Sequence, residues 1–200
     1  MKTLQIKSGH IRFGDPVHQD NQFAIILSAK TGDWKCEIKT EEKYNNISIV
    51  QMRAEIENES DDYAKAMSMI LGKSEVLSKY EYVGKVESGV AGFFDNSKYM
   101  LDQIFREVER QSNVVVCEDQ PFYSICCDRA LSEEKWGEVP YGCVCSVPVE
   151  GFYKITAYSN NSGKVVKIVA DFSEAVDMPV QNSEDSEIFK KLKGIPGGPY

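Results

Sequence analysis

The stretch Gly32-Asp33-Trp34-Lys35-Cys36-Glu37-Ile38-Lys39 sets Trp34, Cys36 and Ile38 on one side and Lys35, Glu37 and Lys39 on the other. Such alternation marks a half-buried strand, because successive side chains of an extended backbone point to opposite faces. A second stretch, Gly151-Phe152-Tyr153-Lys154-Ile155-Thr156-Ala157-Tyr158, is rich in aromatic and branched residues. With the turn Asn160-Asn161-Ser162-Gly163 and the apolar run Lys164 to Phe172 it reads as a hairpin. Both ends of the chain are therefore expected to be sheet.

Around Trp34 the same period continues. Thr3 to Lys7 alternates and ends at the turn Ser8-Gly9; Ile11 and Phe13 resume the pattern until Gly14-Asp15-Pro16 stops it. Phe23 to Ala29 is a compact apolar strand. Beyond Asn45-Asn46, the run Ile47 to Ile56 sets Ile47, Ile49 and Gln51 against Ser48, Val50, Met52, Ala54 and Ile56. The first sixty residues read as an antiparallel meander.

From Ser60 the period changes. Tyr63, Ala66, Met67, Ile70 and Leu71 recur at helical spacing behind Ser60-Asp61-Asp62, which suits a helix N-terminus. A second helix is expected over Leu101, Ile104, Phe105 and Val108, with Asp95-Asn96-Ser97 as its cap. Between them Tyr82 to Phe94 reads as strand, turn, strand, and Val114 to Cys117 as a buried strand. The stretch Asp119 to Pro148 mixes Pro, Gly, Trp and Cys, and its pattern assigns no element. The expected class is α+β, mainly β: antiparallel sheets from two pseudo-repeated halves, forming a sandwich or barrel-like core with about two inserted helices. Residues 1–176 form one domain, with halves 1–59 and 82–176 about a helical insertion at 60–80. The acidic, basic and then Gly/Pro-rich residues 177–200 form a C-terminal tail.

The two halves echo one another. Lys7-Ser8-Gly9 followed by Phe13-Gly14-Asp15 resembles Glu87-Ser88-Gly89 followed by Phe93-Phe94-Asp95. Likewise Gly32 to Ile38 with Ile47 to Ile56 resembles Gly151 to Ile155 with Val165 to Phe172.

Composition narrows the function. The 200 residues are 42% hydrophobic, enough for a core, and carry a formal charge of −8. That charge disfavours a protein whose main work is gripping nucleic-acid phosphate, and it favours a basic protein partner through electrostatic steering. No run approaches the ~20 apolar residues that span a bilayer, and Met1 to Phe13 lacks the apolar stretch of a signal peptide. The expectation is a cytoplasmic protein with no membrane and no nucleic-acid partner. Its cysteines, Cys36, Cys117, Cys126, Cys127, Cys143 and Cys145, are then reduced apolar residues. A zinc set of Cys126, Cys127, Cys143 and Cys145 has poor spacing, since adjacent residues point apart.

These motif residues resemble a bacterial family catalogued as a domain of unknown function, number 4241. Its members have a Ser-Gly strand ending in Asp-Pro, here Ser8-Gly9 to Asp15-Pro16, then a Gly-aromatic strand, here Gly32 to Ile38. A central Gly-Val-Asp-Ala/Ser-Gly turn leading to Phe-x-Asp is matched by Val86-Glu87-Ser88-Gly89 and Phe93-Phe94-Asp95, and a Gly-aromatic hairpin closing in Asp-Phe by Gly151 to Asp171-Phe172. The resemblance spans Ile6 to Phe172. Glu87 stands where the family tends to carry aspartate. Cysteines precede Gly151 where the family carries a Ser-Gly-Tyr-Gly-Asp-Gly type of segment. The family has no agreed activity, and the resemblance implies a fold more than a function.

Three aspartates close motif strands: Asp15, Asp95 and Asp171. Aspartate there is a turn former that bonds its own backbone, or, if Asp15 and Asp95 come together, a carboxylate pair for metal binding or acid and base work. With His18 they form the candidate functional cluster. Trp34, Phe152, Tyr153 and Tyr158 form a candidate ligand or partner face, or else core. No spacing orders a cysteine nucleophile with His10 or His18, Ser88 lacks a nucleophile elbow, and no phosphate loop is present. No catalytic residue, metal ligand or cofactor is assigned. The reading is a small protein-binding module of the kind that neutralises a toxin, with a metal-dependent or carboxylate hydrolase using Asp15 and Asp95 as the alternative.

Overall fold

The structure, a computed structural model, describes residues 1–18, 24–43, 46–56, 77–96 and 121–177. They form eleven strands and one helix: β1 Lys2–Ile6, β2 His10–Gly14, β3 Ile25–Ser28, β4 Gly32–Lys43, β5 Asn46–Ile56, β6 Ser78–Val86, β7 Val90–Asp95, α1 Pro121–Ala130, β8 Trp136–Val139, β9 Gly142–Ser146, β10 Gly151–Ser159 and β11 Val165–Val176. The strands make two antiparallel sheets, of order β1-β4-β5-β11-β10-β6 and β3-β2-β7-β9-β8. Neither closes into a barrel: β1 and β6 are the edges of one, β3 and β8 of the other.

The expected meander is corrected. The Ser8-Gly9 turn sends the chain from one sheet to the other, so β1 pairs with β4 while β2 pairs with β3 and β7. Read inward from either edge, the larger sheet has an edge strand and then the two strands of a hairpin, β1-β4-β5 from one side and β6-β10-β11 from the other.

The inner faces of both sheets share one core. Trp34, Cys36, Met52, Ala54, Tyr153, Ile155, Ile168 and Phe172 meet Ile11, Phe13, Ala91, Phe93, Cys143 and Cys145. Alternation placed Ile49 opposite Met52, yet both are buried, because the β4–β5 register shifts between Lys39 and Thr40 and turns the strand. The smaller sheet is covered on its other side as well. There Val90, Phe94, Val139 and Val144 pack on Phe122, Ile125, Cys126 and Ala130 of α1. This explains why Val90–Asp95 is buried throughout and shows no alternation.

The helix falls within Asp119 to Pro148, to which the sequence pattern assigns no element. Pro121 opens it, at a position whose missing N–H removes no helical bond, and Leu131 N–H still donates to the Cys127 carbonyl at 2.8 Å. The helices expected after Ser60 and after Asp95, the strand Val114 to Cys117 and the tail from residue 178 lie outside the described residues.

Candidate functional site

The Ser-Gly turns and the strand-end aspartates of the two halves meet crosswise. Gly9 and Gly89 each adopt φ +74°, a left-handed conformation that glycine enters without a Cβ penalty. The turns present backbone N–H groups to a carboxylate of the other half. Asp95 Oδ2 accepts from Lys7 N–H at 2.5 Å and Ser8 N–H at 2.9 Å. Asp15 Oδ2 accepts from Glu87 N–H and Ser88 N–H, each at 2.7 Å. Asp15 Oδ1 further accepts from Ser88 Oγ at 2.6 Å and Val17 N–H at 2.9 Å. On the far side of each turn, Gly9 and Gly89 carbonyls accept from Ala29 and Val147 N–H, both at 2.8 Å.

Both carboxylates are buried, Asp15 to 3% exposure and Asp95 to 0%. A buried charge is tolerable only when bonded, and here backbone amides supply the bonds. The carboxylates do not share a site. Asp95 sits opposite Ile11 in the β2–β7 ladder, and Asp15 lies four residues beyond Ile11, roughly 13 Å along the strand.

Asp171 belongs to neither group. It lies on β11 in the larger sheet, opposite Lys154 and Gln51, and accepts from Ser173 N–H at 3.0 Å and Ser173 Oγ at 2.6 Å. The cluster of Asp15, His18, Asp95 and Asp171 is thus corrected: only Asp15 and His18 are neighbours. His18 Nε2 lies 2.5 Å from Glu87 Oε2, and Lys85 pairs with the same carboxylate. Lys85, and more weakly His18, hold the Glu87 carboxyl below the ordinary range.

The Asp15 turn also meets α1, which the sequence did not foretell. Tyr123 bonds to the Ser88 hydroxyl and the Cys127 thiol, and its phenol is raised chiefly by burial. Cys126, next in the helix, is buried and pushed well up for the same reason. A tyrosine at one helical turn from Cys127 was the available signal.

The cysteines behave as core residues. All five described thiols are free. Cys36 lies against Cys143 across the sheets, and that contact together with burial raises it; Cys143 also donates to the Thr3 carbonyl at 3.6 Å. The zinc set is split, since Cys143 and Cys145 face the inner core and Cys126 the helix side. Among the described residues no group of three or more His, Cys, Asp or Glu is placed to hold a metal ion.

The aromatic face is corrected in half its members. Trp34 and Tyr153 are fully buried, with Trp34 Nε1 donating to the Lys30 carbonyl and the Tyr153 hydroxyl to that of Val149. Phe152 and Tyr158 lie half-buried on the opposite, outer face of β10, beneath Lys85 and Lys167. That face carries charges paired from strand to strand: Glu37 with Arg53 at 3.5 Å, Lys167 with Glu55 at 3.7 Å and Lys154 with Glu81 at 2.9 Å. Elsewhere, an open groove of about 650 Å³ lies between Lys2, the end of α1 and β8, lined by Arg129, Glu133, Glu134 and Glu138.

No helix is long and apolar enough to cross a membrane among the described residues. No family model, curated protein or solved structure matches the chain.

Proposed function

We propose that the chain is a protein-binding module for a basic partner, presenting the outer face of its larger sheet. The observation that carries this reading is the outer face on which Phe152 and Tyr158 lie half-buried beneath Lys85 and Lys167, on the same sheet face as the paired charges of Glu37, Glu55 and Glu81 with Arg53, Lys167 and Lys154. Half-buried aromatics ringed by charges are the composition of a recognition surface. The formal charge of −8 favours a basic partner, and a toxin-neutralising role suits such a module.

The scaffold is read as a duplicated β unit forming a sandwich. β1, β2, β3, β4 and β5 correspond to β6, β7, β9, β10 and β11, and the crossed aspartate bonds join the copies. A hydrolase built on Asp15 and Asp95 is less well supported, because both carboxylates are engaged by backbone amides and stand apart.

The test is affinity capture with the tagged full chain at low and moderate salt, followed by binding of the purified captured protein. The expected result is one basic protein bound more weakly as salt rises, and weakened further by Glu55→Lys with Asp171→Lys. Binding that ignores both salt and these reversals, or hydrolytic activity lost on Asp15→Asn in a folded protein, would contradict the reading.

A further inference from the structure

We propose that the chain self-associates through the outer edge of β6, joining it antiparallel to the same strand of a second copy about a two-fold axis at Tyr80.

Strand β6 is an edge of the larger sheet, paired with β10 on one side and with no described strand on the other. An open edge offers a row of backbone donors and acceptors to another chain, and proteins usually blunt it with proline, a bulge or a covering group. Ser78–Val86 contains no proline and runs against β10 without a register shift. The opposite edge is handled differently. There β1 is short, its Thr3 N–H donates to Glu138 Oε1 at 2.6 Å, and Lys2 pairs with Glu134 at 2.9 Å.

Among the described residues, three of the seven exposed large apolar side chains lie along this edge: Leu77 is 39% exposed, Tyr80 49% and Val83 42%. Lys79, ordinarily a guard residue, is neutralised on the outer face by its own Glu81 at 2.6 Å, and a second copy set antiparallel can extend this pair into a four-charge cross-strand network in one register. With the axis at Tyr80, Lys79 stands opposite the partner's Glu81, and symmetry repeats the pair. Leu77 meets the partner's Val83 on the same face, and Tyr80 meets the partner's Tyr80 on the other. Opposite charges and aromatic pairs directly across a ladder are favourable.

Neighbouring registers are penalised. An axis at Lys79 or Glu81 opposes each residue to itself, and one at Tyr82 opposes Lys79 to the partner's Lys85. An axis at Val83 restores opposite charges but spends Tyr80 on Val86, which is already buried. Glu81 remains an anion at neutral pH, its carboxyl lowered to about 2 by Lys79 and Lys154. Seven residues of edge pairing fall well short of a standard interface of about 1,600 Å², so the dimer is weak and concentration-dependent.

Sedimentation equilibrium of the full chain at low salt, from micromolar to near-millimolar concentration, tests this. The expected result is a reversible monomer–dimer equilibrium, weakened about tenfold by Lys79→Glu and restored when Glu81→Lys is added. Circular dichroism checks that each variant is folded. A monomer throughout the range, a dimer indifferent to Lys79→Glu, or failure of the double exchange to restore it would overturn the proposal.

Discussion

Asp15 shows how a residue that looks catalytic in a sequence can be structural in a fold. Its two oxygens accept hydrogen bonds from Glu87, from Ser88 twice, and from Val17. Removing the carboxylate strands buried donors, each worth about 1–3 kcal/mol, so Asp15→Ala is expected to lower unfolding free energy by about 3 kcal/mol in a urea titration. Ser88→Ala, which removes one partner and leaves the amide bonds, should cost about 1 kcal/mol. Equal losses from the two variants would contradict this division. The sequence made the motif visible, since Ser-Gly and the terminal aspartate recur in both halves. It could not show that each aspartate reaches the turn of the other half, because nothing in local spacing encodes a bond between residues 72 or 73 apart for Asp15 and 88 or 87 apart for Asp95.

Strand by strand, legibility followed how many faces were buried. β4, β10 and β11 have one face in the core and one outward, so alternation located them. β9 is buried on both sides, and its composition, Gly-Cys-Val-Cys-Ser, carries no period to read, whereas β7, equally covered, is located within Tyr82 to Phe94 by the Ser88-Gly89 turn before it. Helix α1 was missed although Phe122, Ile125, Cys126 and Ala130 recur at helical spacing. The Pro, Gly and Trp crowded into Asp119 to Pro148 obscure that spacing. Layering also orders thiol reactivity. Cys36, Cys126, Cys143 and Cys145 are buried, and burial raises Cys126 and Cys145 well above an ordinary thiol, whereas Cys127 is half-exposed. Of these five, Cys127 is expected to alkylate first with iodoacetamide at neutral pH, read by peptide mass spectrometry. Early labelling of Cys143 or Cys145 would contradict the two-sided burial of β9.

Taken together, the two sheets are held by a shared core and by two crossed carboxylate bonds near the points where the chain passes between them. The sequence indicated two related ends, and it missed how they interleave: the six-stranded order brings β5 beside β11, a pairing between distant segments. The outer face was also only half legible, because Phe152 and Tyr158 share a strand with buried Tyr153 and Ile155, and only register separates them. The joining of the two sheets depends on the crossing of the aspartates. Amide hydrogen exchange resolved by NMR on Asp15→Ala and Asp95→Ala reads that crossing residue by residue. It predicts faster exchange at Glu87 and Ser88 in the first variant and at Lys7 and Ser8 in the second, each leaving the other turn protected. Exchange unchanged at all four amides, or accelerated at the turn nearest in sequence instead of the one across the sheets, would contradict it.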